Sequence, residues 1–131
     1  MYLLDTNIFL EILLQRGKSG AAKDIFTTVS STDLFMTDFS LHSIGLFLFQ
    51  RNRHESYERF IRDIVMRTGI GVISIGPEDV SLLVSASKKF NLDFDDAYQY
   101  AVAEKHGLSI VSFDTDFDRT EKKRKVPGQE L

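Results

Sequence analysis

Four short apolar runs, at residues 2–4, 34–36, 72–75 and 108–111, punctuate a chain whose other apolar residues recur mostly at helical spacing. Runs this short and this apolar fit strands buried on both faces, and strands separated by helical segments are joined by crossovers. The pattern therefore specifies an α/β domain with a mostly parallel central sheet. In such sheets ligands gather beyond the carboxyl ends of the strands, where strand order reverses.

The intervening segments supply the helices. Residues 7–15 carry Ile8, Phe9, Ile12 and Leu13 on one face and close at Gly17; residues 21–29 follow, with Ser19 as their expected cap. Residues 40–49 are nearly all apolar, so this helix is expected to be buried on more than one side, in the core or against a second copy in a homodimer. Residues 51–67 keep Tyr57, Phe60, Ile61 and Ile64 under an arginine-rich face, which makes a helical hairpin with the preceding segment. Pro77 suits the first position of a helix that turns Val80, Leu83, Val84 and Ala86 or Ser87 to the core. The last helix runs from Asp93 to His106 and stops at Gly107.

At 131 residues and 43% hydrophobic, the chain fits one compact domain, residues 1–131. It has no cysteine, which excludes disulfides, thiolate metal sites and cysteine nucleophiles, and with no secretory signal it reads as cytoplasmic. No apolar run approaches the roughly 18–20 residues that cross a bilayer, so no membrane partner is expected. The net charge of −3 hides a segregation: acids cluster at a few points, while Arg51, Arg53, Arg59, Arg62 and Arg67 gather elsewhere. A nucleic-acid partner therefore stays open.

Asp5 ends the first strand and precedes Thr6 and Asn7; Asp93, Asp95 and Asp96 open the last helix; Asp114, Asp116 and Asp118 follow the last strand. Taken singly, Asp5 reads equally well as a cap or turn residue, Asp93, Asp95 and Asp96 read first as a helix cap and first turn, and Asp114, Asp116 and Asp118 as a solvated turn. Taken together, acids delivered to one edge of a sheet repel one another unless a cation lies between them. All-oxygen ligands suit Mg2+ or Mn2+, and such an ion beside a phosphate polarises it and activates water. Phosphodiester hydrolysis is the economical inference.

The stretches Leu4-Asp5-Thr6-Asn7, Leu92-Asp93-Phe94-Asp95-Asp96-Ala97-Tyr98-Gln99-Tyr100-Ala101 and Ile110-Val111-Ser112-Phe113-Asp114-Thr115-Asp116-Phe117 resemble the PIN-domain ribonuclease family, and within it the small VapC-type toxins of toxin–antitoxin pairs. The resemblance implies a three-layer α/β/α sandwich, an acidic pocket binding Mg2+ or Mn2+, cleavage of RNA, a cognate antitoxin protein and dimers formed through helices. By position, Asp5, Asp96 and Asp114 match the metal-binding acids, Asp116 an assisting acid, and Asn7 a polar residue that orients the first acid. Arg51 and Arg53 are candidate contacts to the RNA backbone at the rim of the cleft.

One departure stands out. The family usually carries a glutamate early in the helix after the second strand, and Ser43 occupies that position, with no acid between Asp38 and Glu55. Asp38, Asp93 or Asp116 is left to compensate. The alternative is a catalytically degenerate PIN-like module that binds RNA or protein. A phosphatase reading of Asp114-Thr115-Asp116 is weaker, because that motif belongs near the start of its domain.

Overall fold

The computed structural model describes residues 1–129 and 131. Strands β1 (Tyr2–Leu4), β2 (Leu34–Thr37), β3 (Gly71–Ile73) and β4 (Ser109–Val111) form one parallel sheet in the order β3-β2-β1-β4. Successive strand residues point to opposite faces, so Leu4, Leu34, Met36 and Val111 enter one core while Leu3, Phe35, Ile73 and Ile110 face the other. That two-sided burial is why the strands are apolar without alternation. The result is the expected α/β/α sandwich.

On the first face lie α1 (Thr6–Leu13), α2 (Ser19–Thr28), α3 (Asp38–Gln50) and α4 (His54–Phe60), the last continued by a π-helical stretch, Ile61–Met66. On the second lie α5 (Val80–Phe90), entered through a short 3-10 turn at Pro77–Asp79, and α6 (Phe94–His106). The hairpin of α3 and α4 closes tightly because Gly45 has no side chain: a Cβ there would stand 3.0 Å from the Tyr57 ring, whose hydroxyl donates to the Leu41 carbonyl. Gly107 ends α6 at φ 67°, a left-handed conformation that strains most other residues.

Several local expectations change. Ser19 lies inside α2 and Lys18 takes the cap position without a side-chain bond, because a turn at Arg16–Ser19 already delivers the chain in helical geometry. On α5 the face against the core is Leu83, Ala86 and Phe90; Val80 and Val84 are exposed, since α6 covers α5 from one side only. The apolar helix α3 buries Ile44 and Leu48 but leaves Leu46 and Phe49 largely in the open.

Chain order positions the site. From β1 the chain steps to β2 and β3 in one direction, then returns to add β4 on the other side of β1. The crevice at this reversal opens at the carboxyl ends of β1 and β4. Asp5 follows one of these strands directly and Ser112 follows the other, with the Asp5 amide bonded to the Val111 carbonyl at 3.0 Å.

Phe9 is fully buried and packs edge-on against Phe60 and tilted against Phe26, joining α1, α2 and α4. Phe9→Ala is expected to lower unfolding free energy by about 3–5 kcal/mol. Urea denaturation checks this, and a loss below ~1 kcal/mol would show that the three helices do not share one core.

Candidate active site

The first acid is held by three donors. Asp5 caps α1, accepting from its neighbour's amide, Thr6 N–H, at 2.8 Å on Oδ1. The Gln99 side-chain amide donates to the same oxygen at 3.2 Å, and the Ser112 hydroxyl donates to Oδ2 at 2.6 Å. Ser112 in turn accepts from the Asn7 side chain at 3.1 Å and from the Asp114 amide at 2.9 Å. Asn7 thus orients Asp5 through Ser112. The carboxylate is 7% exposed, and burial raises its pKa against the pull of its donors, with Asp114 pushing in the same direction.

Asp96 sits in the first turn of α6. Asp93 caps that helix by accepting from the Asp96 amide at 3.0 Å, so the capping reading of Asp93 is the one the geometry favours. The Asp96 side chain is buried, and desolvation, reinforced by Asp114, Asp93, Asp5 and Asp116, pushes its carboxyl up from 3.8 to about 8. Asp114 follows β4 and caps a 3-10 turn, Thr115–Arg119, through the Asp116 amide at 2.9 Å. Three strand and helix ends thus bring the acids together.

The tightest group is Asp96, Asp114 and Asp116, each offering a carboxylate oxygen within 4.8 Å of the others. The expected trio was Asp5, Asp96 and Asp114; the group whose oxygens lie within 4.8 Å of one another has Asp116 in place of Asp5. Asp5 stands beside the trio, and its charge is felt by Asp96. A cleft of about 250 Å³ adjoins Asp96, lined by Asp5, Thr6, Ser43, Asp95, Asp96 and Gln99, with Leu10 and Phe39 as its apolar wall. Ser43 does reach the pocket, but as a hydroxyl where a carboxylate was expected.

The donor set fits a hard divalent cation: three carboxylates, no sulfur and no histidine, converging at a strand-order reversal. Asp38 does not join it. Its Oδ1 accepts from the Tyr98 hydroxyl at 2.7 Å and from the Phe39 amide at 2.8 Å, which ties the start of α3 to α6 across the edge of the sheet. Arg51 and Arg53 lie beyond the far end of α3, with Arg51 about 12 Å along the axis from cleft-lining Ser43 and about 18 Å from Phe39 at a rise of ~1.5 Å per residue. The Arg51 guanidinium packs over the Phe47 ring at 3.5 Å and donates to the Phe47 carbonyl.

Other residues of the site escaped sequence reading. Arg119 pairs with Asp116 at 2.6 Å and also donates to the Asn91 carbonyl, pinning the 3-10 turn to the end of α5. Gln99 is 1% exposed and, besides Asp5, donates to Ser40 at 2.7 Å and weakly to Thr6 at 3.4 Å. Its position one turn beyond Asp96 was a usable signal. Ser40, Thr6 and Ser112 carried none, since hydroxyls near acids are ubiquitous.

The domain is a parallel α/β/α sandwich that carries an acid trio beside the carboxyl ends of β1 and β4. The PIN domain family model matches residues 2–123, and the chain belongs to that family. No curated protein matches it in sequence. Among solved structures it is similar to FitAB bound to IR36 DNA, with TM-score 0.83 and 15% identity over 100% of this chain and 98% of that one. VapC20 of Mycobacterium tuberculosis, described as a sarcin-ricin loop cleaving toxin, gives TM-score 0.73 and 17% identity over 90% and 93%. VapBC2 of Rickettsia felis, bound to a promoter DNA fragment, gives 0.73 and 10% over 95% and 97%.

Because folding raises the Asp96 pKa from 3.8 to about 8, the folded chain holds this proton more tightly than the unfolded one. Between those values the native state binds more protons, so this group's contribution to stability falls as pH rises. In EDTA, Asp96→Asn is expected to raise Tm at pH 8 and to leave it little changed near pH 4. Thermal melts of both proteins across that range check this; equal Tm differences at both pH values would refute the assigned shift.

Proposed function

We propose that the pocket is a Mg2+- or Mn2+-dependent endoribonuclease site, and that the chain is the toxin component of a toxin–antitoxin pair. The carrying observation is the convergence of Asp96, Asp114 and Asp116 on one point beside the buried Asp5. Such a cluster is self-repelling without a cation, and the protein nonetheless builds it from two separate elements, the start of α6 and the turn after β4. In this reading Asp96 and Asp114 hold the ion with Asp116, while Asp5 contributes from beside them. When bound, the ion polarises the scissile phosphoryl group and lowers the pKa of the attacking water.

The chain's own residues do the positioning. Ser112 fixes Asp5 and the backbone leading to Asp114 through one hydroxyl, and Arg119 restrains Asp116. Asp93 sets the first turn of α6, on which Asp96 rides. The cleft beside Asp96 admits a substrate group between Ser43, Phe39 and Asp95. Arg51 and Arg53, at the other end of α3, would meet only a distant part of a bound RNA.

The toxin assignment follows the similar structures, among them a toxin–antitoxin complex from Klebsiella pneumoniae with TM-score 0.71 at 19% identity. It carries three further parts: a cognate antitoxin that neutralises the chain, a cytoplasmic location, and a homodimer for which exposed Leu46, Phe49 and Met66 provide apolar surface. Ser43 favours a second reading, a degenerate binding module that retains the fold and the cleft without turnover.

Cleavage of RNA and DNA by purified protein, with Mg2+, Mn2+ or EDTA, separates the two. RNA cleavage that needs the metal is expected, and Asp96→Asn or Asp114→Asn should reduce it by about 100-fold or more, beyond the roughly 10–100-fold typical of residues behind the ligands. Tight RNA binding with no metal-stimulated cleavage would establish the binding module instead.

A further inference from the structure

Gln99 is an unusual choice for the place it occupies. Its side-chain amide nitrogen lies within reach of Asp5, Ser40 and Thr6, whereas its carbonyl Oε1 is buried and has no hydrogen-bond partner among the described residues. Rotating the amide by half a turn would give Oε1 the Ser40 hydroxyl, but would also press a carbonyl against the Asp5 carboxylate. The orientation is therefore set by Asp5. A methionine or leucine of similar shape would fill the same space without an orphaned carbonyl, so packing alone does not account for an amide here.

Counting lone pairs shows what the amide does. Oδ1 of Asp5 accepts from Thr6 at 2.8 Å and from Gln99 at 3.2 Å, which uses both of its lone pairs. Among the described residues Oδ2 accepts from Ser112 alone, at 2.6 Å, and retains one. Ser40 holds Gln99 in turn: it accepts from Gln99 at 2.7 Å and from Thr37 at 3.3 Å, which leaves its own hydrogen for Thr6, 2.7 Å away. The chain of bonds runs from the start of α3, through Gln99 on α6, to the end of β1.

We propose that Gln99 is a positioning residue that saturates Oδ1 of Asp5 and so presents Oδ2 as the single atom through which this acid serves the divalent cation. This rests on the pocket being a divalent-metal site. Gln99 touches a ligand and not the ion, and residues in that role typically change metal affinity by roughly 10–100-fold when removed. Without Gln99, Oδ1 keeps the Thr6 amide but regains a lone pair, so Oδ2 is no longer the single oxygen on offer and the preset ligand geometry is lost.

The test is titration of the full chain with Mn2+ alone, read by the electron paramagnetic resonance signal of free Mn2+ and by calorimetry, for wild type, Gln99→Met and Gln99→Asn. Gln99→Met removes the donor at similar length; Gln99→Asn keeps an amide that stops one carbon short of Asp5. Both are expected to weaken Mn2+ binding by roughly 10–100-fold. The Tm of Gln99→Met in EDTA is expected to equal or exceed that of wild type, which a merely structural role would not give. Wild-type affinity in a folded Gln99→Met protein overturns the proposal, as does loss of the fold in both variants. Failure of wild type itself to bind Mn2+ overturns the metal reading of the pocket, a result distinct from the other two.

Discussion

A buried carboxylate at the point where strand order reverses sets the terms for the rest of this molecule. Asp5 is placed there by the shortest route available, one residue after the first strand, and cannot remain charged in that position without donors. Thr6 provides one from the helix it starts, Ser112 another from the far end of the chain, and Gln99 a third from the opposite layer. Residues 107 positions apart in sequence are thus joined by a 2.6 Å hydrogen bond. Each layer of the sandwich contributes to holding one acid.

Repulsion among the other acids is managed by similar local devices. Asp93 and Asp114 each spend an oxygen on a backbone amide at a helix start, where negative charge is favoured. Asp116 has Arg119 three residues on. Asp96 has no such relief, and its raised pKa is the measure of it. The site combines rigid placement with mutual repulsion among its acids, which is the condition the proposed cation would relieve.

Much of the fold was legible because the physics that builds it is local. Short non-alternating apolar runs mark strands covered on both faces; Pro77 and Gly107 mark helix ends through backbone geometry, and Asp93 through its side-chain cap. Errors fell where tertiary packing chose between equal local options. Val80 and Val84 look as core-like as Leu83 and Ala86 until α6 is seen to cover only one side of α5. Likewise Asp38 and Asp93 both stand at helix starts, but Thr37 takes the cap of α3 and leaves Asp38 to the Tyr98 hydroxyl, whereas Asp93 caps α6 beside a fellow acid.

Residue type and spacing settled the parallel α/β architecture and which acids follow strand ends or open helices, because strand ends and helix caps are set within a few residues of chain; the family came from the resemblance of its acid-bearing stretches and is shown by the match over residues 2–123. Only the tertiary structure decided that Asp116 completes the tight trio, that Ser43 faces the cleft, that Arg51 and Arg53 stand beyond the opposite end of α3, and that Gln99 donates to Asp5. Those outcomes depend on distances between elements far apart in sequence, and a one-dimensional pattern has no term for the direction in which a side chain meets its neighbour across a layer.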